Sequence, residues 1–201
     1  MIRGLPSHPL WLVLLFGPMC ASAQHTYLTS LSVVPETIST GDDSIYHFLP
    51  YPLEGKSSLV FQVRATNDAS VLVSSSFSMG EGDPTVQVYK VVLGGWDNLQ
   101  SAIRTFVQGA NLVSSSTSGL LSGDEYRWLW ISWASGRASV GTGFTVGQAK
   151  FMQYEDPSPW AVRWAAVATS FGATGVWQVL AGNESTRPLL WFAIGEVSPY
   201  L

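Results

Sequence analysis

The sequence predicts an all-β fold, a jelly-roll-like antiparallel β-sandwich that follows a cleaved N-terminal signal peptide. Short apolar or alternating runs recur at close spacing, turn-forming residues separate them, and helical periodicity is nearly absent. Because 46% of the residues are hydrophobic and only 12% are charged, the chain can build a core and does not resemble a disordered protein. Strands are expected at residues 58–65, 70–74, 85–93, 126–133, 138–140, 150–154, 161–169, 176–180 and 189–194.

Three segments need separate treatment. Residues 126–133 (YRWLWISW) are apolar on both faces, which is typical of a central strand covered on two sides. Residues 98–107 place apolar side chains at helical spacing, but β-branched residues crowd their end, so a turn of helix and a strand both stay open. The serine-rich stretch at 113–118 is expected to be a loop.

The first 23 residues have the organisation of a secretory signal peptide. Arg3 supplies a positive charge, residues 10–16 (LWLVLLF) form the apolar segment, and residues 21–23 (ASA) match a signal-peptidase site. The apolar segment is too short to span a bilayer, which takes about 20 residues. We therefore expect cleavage after residue 23, a single domain over 24–201, and a secreted, extracellular protein without a membrane span.

The cysteine and the glycosylation motif follow from this prediction. Cys20 lies within the predicted signal peptide, so the mature chain is expected to be free of disulfides and to depend on its core. Asn183 begins an N-x-[ST] motif in a polar stretch, and we predict it as a glycosylation site.

Several chemistries find no support in the residues. Ten basic against 14 acidic residues leave no basic surface for nucleic acid. His25 and His47 lack partners at metal-ligand spacing, and no serine stands in a nucleophile elbow. Glu155 and Asp156 are adjacent, so in a strand they point to opposite faces. The glycine-rich segment 140–147 has no helix after it and is expected to be a β-turn. We therefore predict no catalytic residue, no metal and no cofactor.

A candidate ligand site follows the predicted strand that ends at residue 93. Gly94 and Gly95 allow a close backbone approach because they lack Cβ, and the residues after them combine an aromatic surface, hydrogen-bonding groups and a guanidinium for an anion. The competing interpretation is structural, with Trp96 in the core and the two residues after it in a turn or a helix cap. The predicted ligand-binding residues are Trp96, Asp97, Asn98 and Arg104.

Short motifs along the chain also resemble a known family. They are residues 46–50 (YHFLP), 92–98 (VLGGWDN), 103–104 (IR), 130–133 (WISW), 140–143 (VGTG) and 171–177 (FGATGVW). In order and spacing they resemble the farnesoic acid O-methyltransferase-like domain of animal secreted and multidomain proteins, over about residues 45–180. The resemblance implies a β-sandwich recognition module and, through the family's label, a methyltransferase acting on a farnesoic-acid-like carboxylate.

Three functions therefore stay open, and with them the question of whether the protein is an enzyme. We favour a secreted, non-catalytic module that binds a carbohydrate or a protein partner, because aromatic side chains supply flat contact surfaces. The alternatives are the methyltransferase that the label implies and a structural extracellular subunit. A common S-adenosylmethionine enzyme needs an α/β fold with a glycine loop beside an acidic strand end, whereas this chain follows strands with strands.

Overall fold

The computed structural model of this protein describes residues 35–81 and 83–182. Strands make up nearly all regular structure in this part of the chain. Their bounds are β1 Glu36–Thr40, β2 His47–Phe48, β3 Ser58–Ala65, β4 Ala69–Ser74, β5 Val88–Gly94, β6 Gln100–Arg104, β7 Asn111–Ser116, β8 Arg127–Ser132, β9 Arg137–Thr142, β10 Lys150–Glu155, β11 Trp164–Thr169 and β12 Gly175–Gly182. Two short helical turns lie at Gly95–Asn98 and Ala134–Gly136.

The strands form two antiparallel sheets of six strands each. The first sheet has the order β1-β12-β3-β8-β9-β10, and the second has the order β2-β11-β4-β5-β6-β7. The inner faces of both sheets contribute to one hydrophobic core, so the predicted antiparallel β-sandwich is confirmed. The predicted signal peptide, the strand at 189–194 and the glycosylation motif at Asn183 lie outside the described residues.

The structure corrects the prediction for one segment and decides between two open alternatives for another. The loop expected at 113–118 is wrong, because residues 111–116 form β7 at the edge of the second sheet. Serines suit such a strand, since an antiparallel edge strand can present one face to solvent. The segment at 98–107, for which helix and strand stayed open, contains β6, which pairs with β5 and β7.

The tryptophan-rich strand β8 lies inside the first sheet and is covered on both faces, as expected. Leu129 and Ile131 point into the core, whereas Trp130 is buried on the outer face. Its indole lies against Gly141, its cross-strand partner, and its N–H donates to the Gln148 carbonyl at 2.9 Å. In the glycine-rich segment 140–147, residues 140–142 end β9, and residues 143–147 lie in the turn before β10, so the predicted turn is confirmed for its second part.

A buried polar link joins the two sheets near one end of the core. Trp177 on β12 is fully buried, and its indole N–H donates to Thr40 Oγ1 on β1 at 3.0 Å. The hydroxyl of Thr169 on β11, in the other sheet, lies 2.7 Å from the same oxygen. Because Thr169 ends β11 and Trp177 lies near the start of β12, this link anchors the connection between them.

The outer face of the second sheet is divided into two parts. One part is covered by a second apolar cluster, which comprises Leu72, Val86, Val88 and Ala166. The other part carries a row of mostly small side chains, one from each of four neighbouring strands. This row is Ala168, Ser70, Val92 and Ala102. Small side chains leave a depression there, bordered by the loops at the strand ends.

Candidate functional site

This depression forms a pocket of about 360 Å³, within the range of small-molecule sites. It lies on the outer face of the second sheet, where β4 begins and β5 and β11 end. Strand residues supply its floor, and three loops supply its rim. The lining residues are Asp68, Ser70, Lys90, Val92, Trp96, Asp97, Arg104, Ser170 and Phe171.

Two cations rise from the floor. Lys90 on β5 and Arg104 on β6 are directly opposite each other in the antiparallel register. The Lys90 ammonium donates to the Val107 carbonyl at 3.2 Å, and Arg104 Nε donates to Asn111 Oδ1 at 2.8 Å. Among the described residues, each side chain is thus oriented by one neutral hydrogen-bond acceptor, and the Lys90 ammonium also lies 5.9 Å from the centroid of the Tyr46 ring.

The rim above Arg104 is a turn of left-handed backbone. Trp96, Asp97 and Asn98 have φ angles of 53°, 59° and 61°, and the N–H of Leu99 donates to the Gly95 carbonyl at 3.1 Å. Left-handed backbone costs an L-residue about 1–2 kcal/mol. Trp96 is 44% exposed, so the alternative that it fills the core is wrong. The Arg104 guanidinium lies 5.6 Å from its ring centroid, in a cation–π contact.

Asn98 holds this turn in place. Its side-chain amide donates to the Leu121 carbonyl at 2.9 Å, and its Oδ1 accepts from the Leu121 N–H at 3.1 Å. The carboxamide thus pairs with both backbone groups of Leu121, as the backbone of a neighbouring strand would. Its predicted role in ligand binding stays a prediction, but both of its polar groups already bind backbone.

A second left-handed turn forms the opposite part of the rim. Phe171 and Gly172 have φ angles of 55° and 81°, and the Ala173 N–H donates to the Ser170 carbonyl at 3.2 Å. Positive φ at both central positions is the geometry of a type I′ turn, which favours Asn-Gly. A phenylalanine is unfavourable there, and 83% of its surface is exposed. Nothing in the local sequence explains this placement by packing.

Rare backbone is concentrated around the pocket. Of the eight non-glycine residues with positive φ in the described part of the chain, four line it. Those four are Asp68, Trp96, Asp97 and Phe171. Strained conformations cluster at functional sites, where the surrounding structure maintains them.

Burial and charge perturb the acidic and basic groups of the pocket in opposite directions. Burial raises the pKa of Asp68, and the nearby Asp97 carboxylate raises it further, while Lys90 opposes both. Burial lowers the pKa of Lys90, and Arg104 adds to this decrease. Burial also raises the pKa of Tyr46 to about 12. The Tyr46 hydroxyl is close to Ser70 but makes no hydrogen bond of normal geometry within residues 35–81 and 83–182.

We expect Asp68→Asn to raise the unfolding midpoint at pH 7, with the gain disappearing towards low pH. Because the folded pKa exceeds the ordinary value of 3.8, the native state binds more protons than the unfolded state just above that pH. The wild type therefore loses stability as pH rises through this window, and below it the neutral acid resembles the amide. Thermal unfolding between pH 3 and 8 measures the difference.

Asp83→Asn is the matched control for this prediction. The Thr85 hydroxyl and N–H donate to the Asp83 carboxylate and lower its pKa, whereas the pKa of Asp68 is raised. The ionised Asp83 therefore stabilises the folded state, and its replacement by the amide should not raise the unfolding midpoint at pH 7. A gain for Asp68→Asn that persists unchanged at pH 3 would contradict the electrostatic explanation.

The structure brings together three of the four predicted ligand-binding residues. Trp96, Asp97 and Arg104 line the pocket, and Asn98 supports the turn beside it. Lys90, Asp68 and Phe171 were not identified as site residues from the sequence. Lys90 could have been identified as a charged residue within the apolar run of residues 88–93, whereas no local rule indicates an exposed, left-handed phenylalanine.

The fold and the pocket define the class of protein: an all-β sandwich with an open pocket on the outer face of one sheet. The family model for farnesoic acid O-methyl transferase matches residues 42–182. The chain belongs to this family, and the resemblance found in its motifs is confirmed. No curated protein sequence matches the chain.

Several solved structures are similar to this chain at low sequence identity. A Bacillus subtilis protein of unknown function with a galectin-like fold is 9% identical, with a TM-score of 0.49 over 73% of this chain and 82% of that one. A Bacillus licheniformis β-glucanase is 11% identical, with a TM-score of 0.47 over 73% and 78%. The carbohydrate binding module CBM66 from Bacillus subtilis is 9% identical, with a TM-score of 0.42 over 73% and 94%.

Two further features concern the described part of the chain. Within residues 35–81 and 83–182, no three His, Cys, Asp or Glu side chains are grouped so that they could hold a metal ion. In the same residues, no helix reaches the length and apolarity that a membrane span requires.

Proposed function

We propose that the protein is a secreted, non-catalytic recognition module that binds a carbohydrate in the pocket on the outer face of the second sheet. The observation that carries this proposal is the rim, where Trp96 and Phe171 are held exposed on left-handed backbone. Each conformation reduces stability while most of the Phe171 ring and nearly half of the Trp96 ring stay in solvent, which is typical of residues kept for function. Secretion rests on the predicted signal peptide at 1–23.

The chemistry of the pocket suits a sugar. A pyranose has an apolar C–H face, which packs on an aromatic ring, and hydroxyls that both donate and accept hydrogen bonds. The exposed rings of Trp96 and Phe171 offer the aromatic surface. Lys90 and Arg104 offer donors, and Asp68 offers acceptors. A purely apolar ligand would leave these polar groups desolvated and unpaired, which opposes its binding.

The test is a glycan array probed with the mature protein, followed by calorimetry on the sugars that bind. We expect Trp96→Asn and Phe171→Asn each to weaken binding more than tenfold, about 1.4 kcal/mol. Asparagine tolerates left-handed backbone, so Phe171→Asn should also raise the free energy of unfolding by about 1 kcal/mol. Trp96→Asn should stay within about 1 kcal/mol of wild type, because relief of strain offsets the lost cation–π contact.

Phe144→Asn is the control, since Phe144 is an exposed phenylalanine in the β9–β10 hairpin that does not line the pocket. It should bind sugar as the wild type does. If Phe171→Asn destabilises the protein instead, the phenylalanine has a structural role. If the array and a pull-down both find no partner, a structural extracellular subunit replaces the recognition module.

The family's name points to a second candidate, a methyl transfer to a carboxylate. The described residues do not contain the strand–glycine loop–helix unit that would hold S-adenosylmethionine in the common fold, since residues 140–147 close a hairpin. We expect no heat when S-adenosylmethionine is titrated into the protein. Micromolar binding, near −8 kcal/mol, would contradict the non-catalytic proposal.

A further inference from the structure

The floor of the pocket contains a like-charge pair that forms no ion pair with any other described residue. Lys90 and Arg104 are cross-strand partners on the same face, and like charges directly opposite each other destabilise a sheet. The ion pairs within residues 35–81 and 83–182 are Arg127–Glu125 and Arg137–Glu155, so neither floor cation takes part in one. The guanidinium of Arg104 also lowers the pKa of Lys90.

The acids of the pocket offset this repulsion only in part, because Asp68 raises the pKa of Lys90 by less than burial and Arg104 lower it. Asp68 and Asp97 come from the loops at the strand ends, whereas Lys90 is four residues before the end of β5. Lys90 does lower the pKa of Asp68, but burial and Asp97 outweigh it. The pocket is therefore divided into a basic floor and an acidic rim.

A basic floor and an acidic rim suit a ligand that carries both an anionic group and hydrogen-bond donors. A carboxylate or sulfate between the two cations would remove their repulsion, and a guanidinium can bind such a group through two parallel hydrogen bonds. Hydroxyls would donate to the rim carboxylates. A fatty carboxylate has the anion but no hydroxyls, so it would leave the rim acids without donors.

We propose that the sugar recognised in this pocket is acidic, and that its anionic group lies between Lys90 and Arg104 while its hydroxyls bind the Asp68 and Asp97 rim. This inference depends on the proposed carbohydrate-binding function. It adds the ligand class and assigns the selectivity to two residues of the sheet.

The test compares charged and neutral forms of the same sugar by calorimetry. The probes are glucuronate, its methyl ester, glucose, N-acetylneuraminate and a sulfated disaccharide, with farnesoate as the hydroxyl-free carboxylate. We expect at least one acidic sugar to bind tenfold or more tightly than its neutral counterpart, and this preference to decrease as salt is raised. Farnesoate should bind more weakly than that sugar.

Variants separate the anion contact from the rest of the site. Arg104→Gln and Lys90→Met should each reduce the acidic-to-neutral affinity ratio about tenfold or more, while neutral sugar affinity changes less. Lys90→Met removes the repulsion and should not lower the unfolding midpoint. Arg137→Gln removes a cation on the other sheet and should preserve the ratio.

The outcomes distinguish the two proposals. Equal binding of neutral and acidic sugars would overturn the anion assignment but support the carbohydrate site. Failure of every sugar to bind would overturn both proposals. Binding of farnesoate without any sugar would also overturn both and would favour a carboxylate acceptor.

Discussion

Replacement of Trp177 by alanine is expected to lower the free energy of unfolding by about 3–5 kcal/mol. Trp177 is fully buried between the sheets, and its N–H donates to Thr40 within the link that joins them. The substitution therefore removes a large apolar contact and leaves Thr40 without one of its donors. Denaturant unfolding of the purified protein measures the change.

Trp96→Ala is the matched control, because the same substitution is made at an exposed tryptophan. It should change the free energy of unfolding by about 0.5 kcal/mol or less. A small effect at Trp177 would mean that the core between the sheets relaxes around the cavity. Trp177→Phe should fall between the two, since it keeps a ring but no N–H. Trp177→Ala should also weaken sugar binding, because the lost link anchors the β11–β12 connection that carries Phe171.

Gly94→Ala is expected to lower the free energy of unfolding by about 2–4 kcal/mol and to abolish ligand binding. Gly94 has a φ of +55°, and a Cβ there would lie 2.6 Å from Asn98 Oδ1 and 2.9 Å from the Leu121 side chain. Backbone strain and crowding therefore act together. The displaced Asn98 would release the turn that carries Trp96.

Gly119→Ala isolates the backbone contribution. Gly119 has a φ of +72° with nothing within 4 Å of its would-be Cβ, so only about 1–2 kcal/mol of strain is expected and the site should survive. Calorimetry on both variants gives stability and affinity from the same preparations. Equal losses at the two positions would contradict the crowding at Gly94.

The strands with clear periodicity could be predicted from the sequence. Residues 58–65 alternate apolar and polar side chains, and β3 has those bounds. The serine-rich β7 could not be predicted from the sequence, because an edge strand with one face in solvent accepts many kinds of side chain. The tendency of a segment to form a strand depends on its position in the sheet. The strand at 47–48 is too short to show a period, and it forms through its pairing with β11.

The site was predictable where local chemistry was concentrated in one segment. The glycines, tryptophan and acid at 94–97 are adjacent, and Arg104 is close in sequence. Phe171 reaches the same pocket from the β11–β12 connection, and Asp68 from the residues before β4. Only the strand order brings these distant segments together, so no pattern within either one indicates the pocket.

The two left-handed turns have a kinetic consequence. Asn98 fixes one turn through Leu121, and a backbone hydrogen bond closes the turn at Phe171, so the backbone that carries both aromatic residues is held by contacts within the protein. We therefore expect that a ligand can enter without prior closure of a loop. Association should then be a single encounter whose observed rate rises linearly with ligand concentration. Discrimination between related ligands would be expressed in how long each one stays bound.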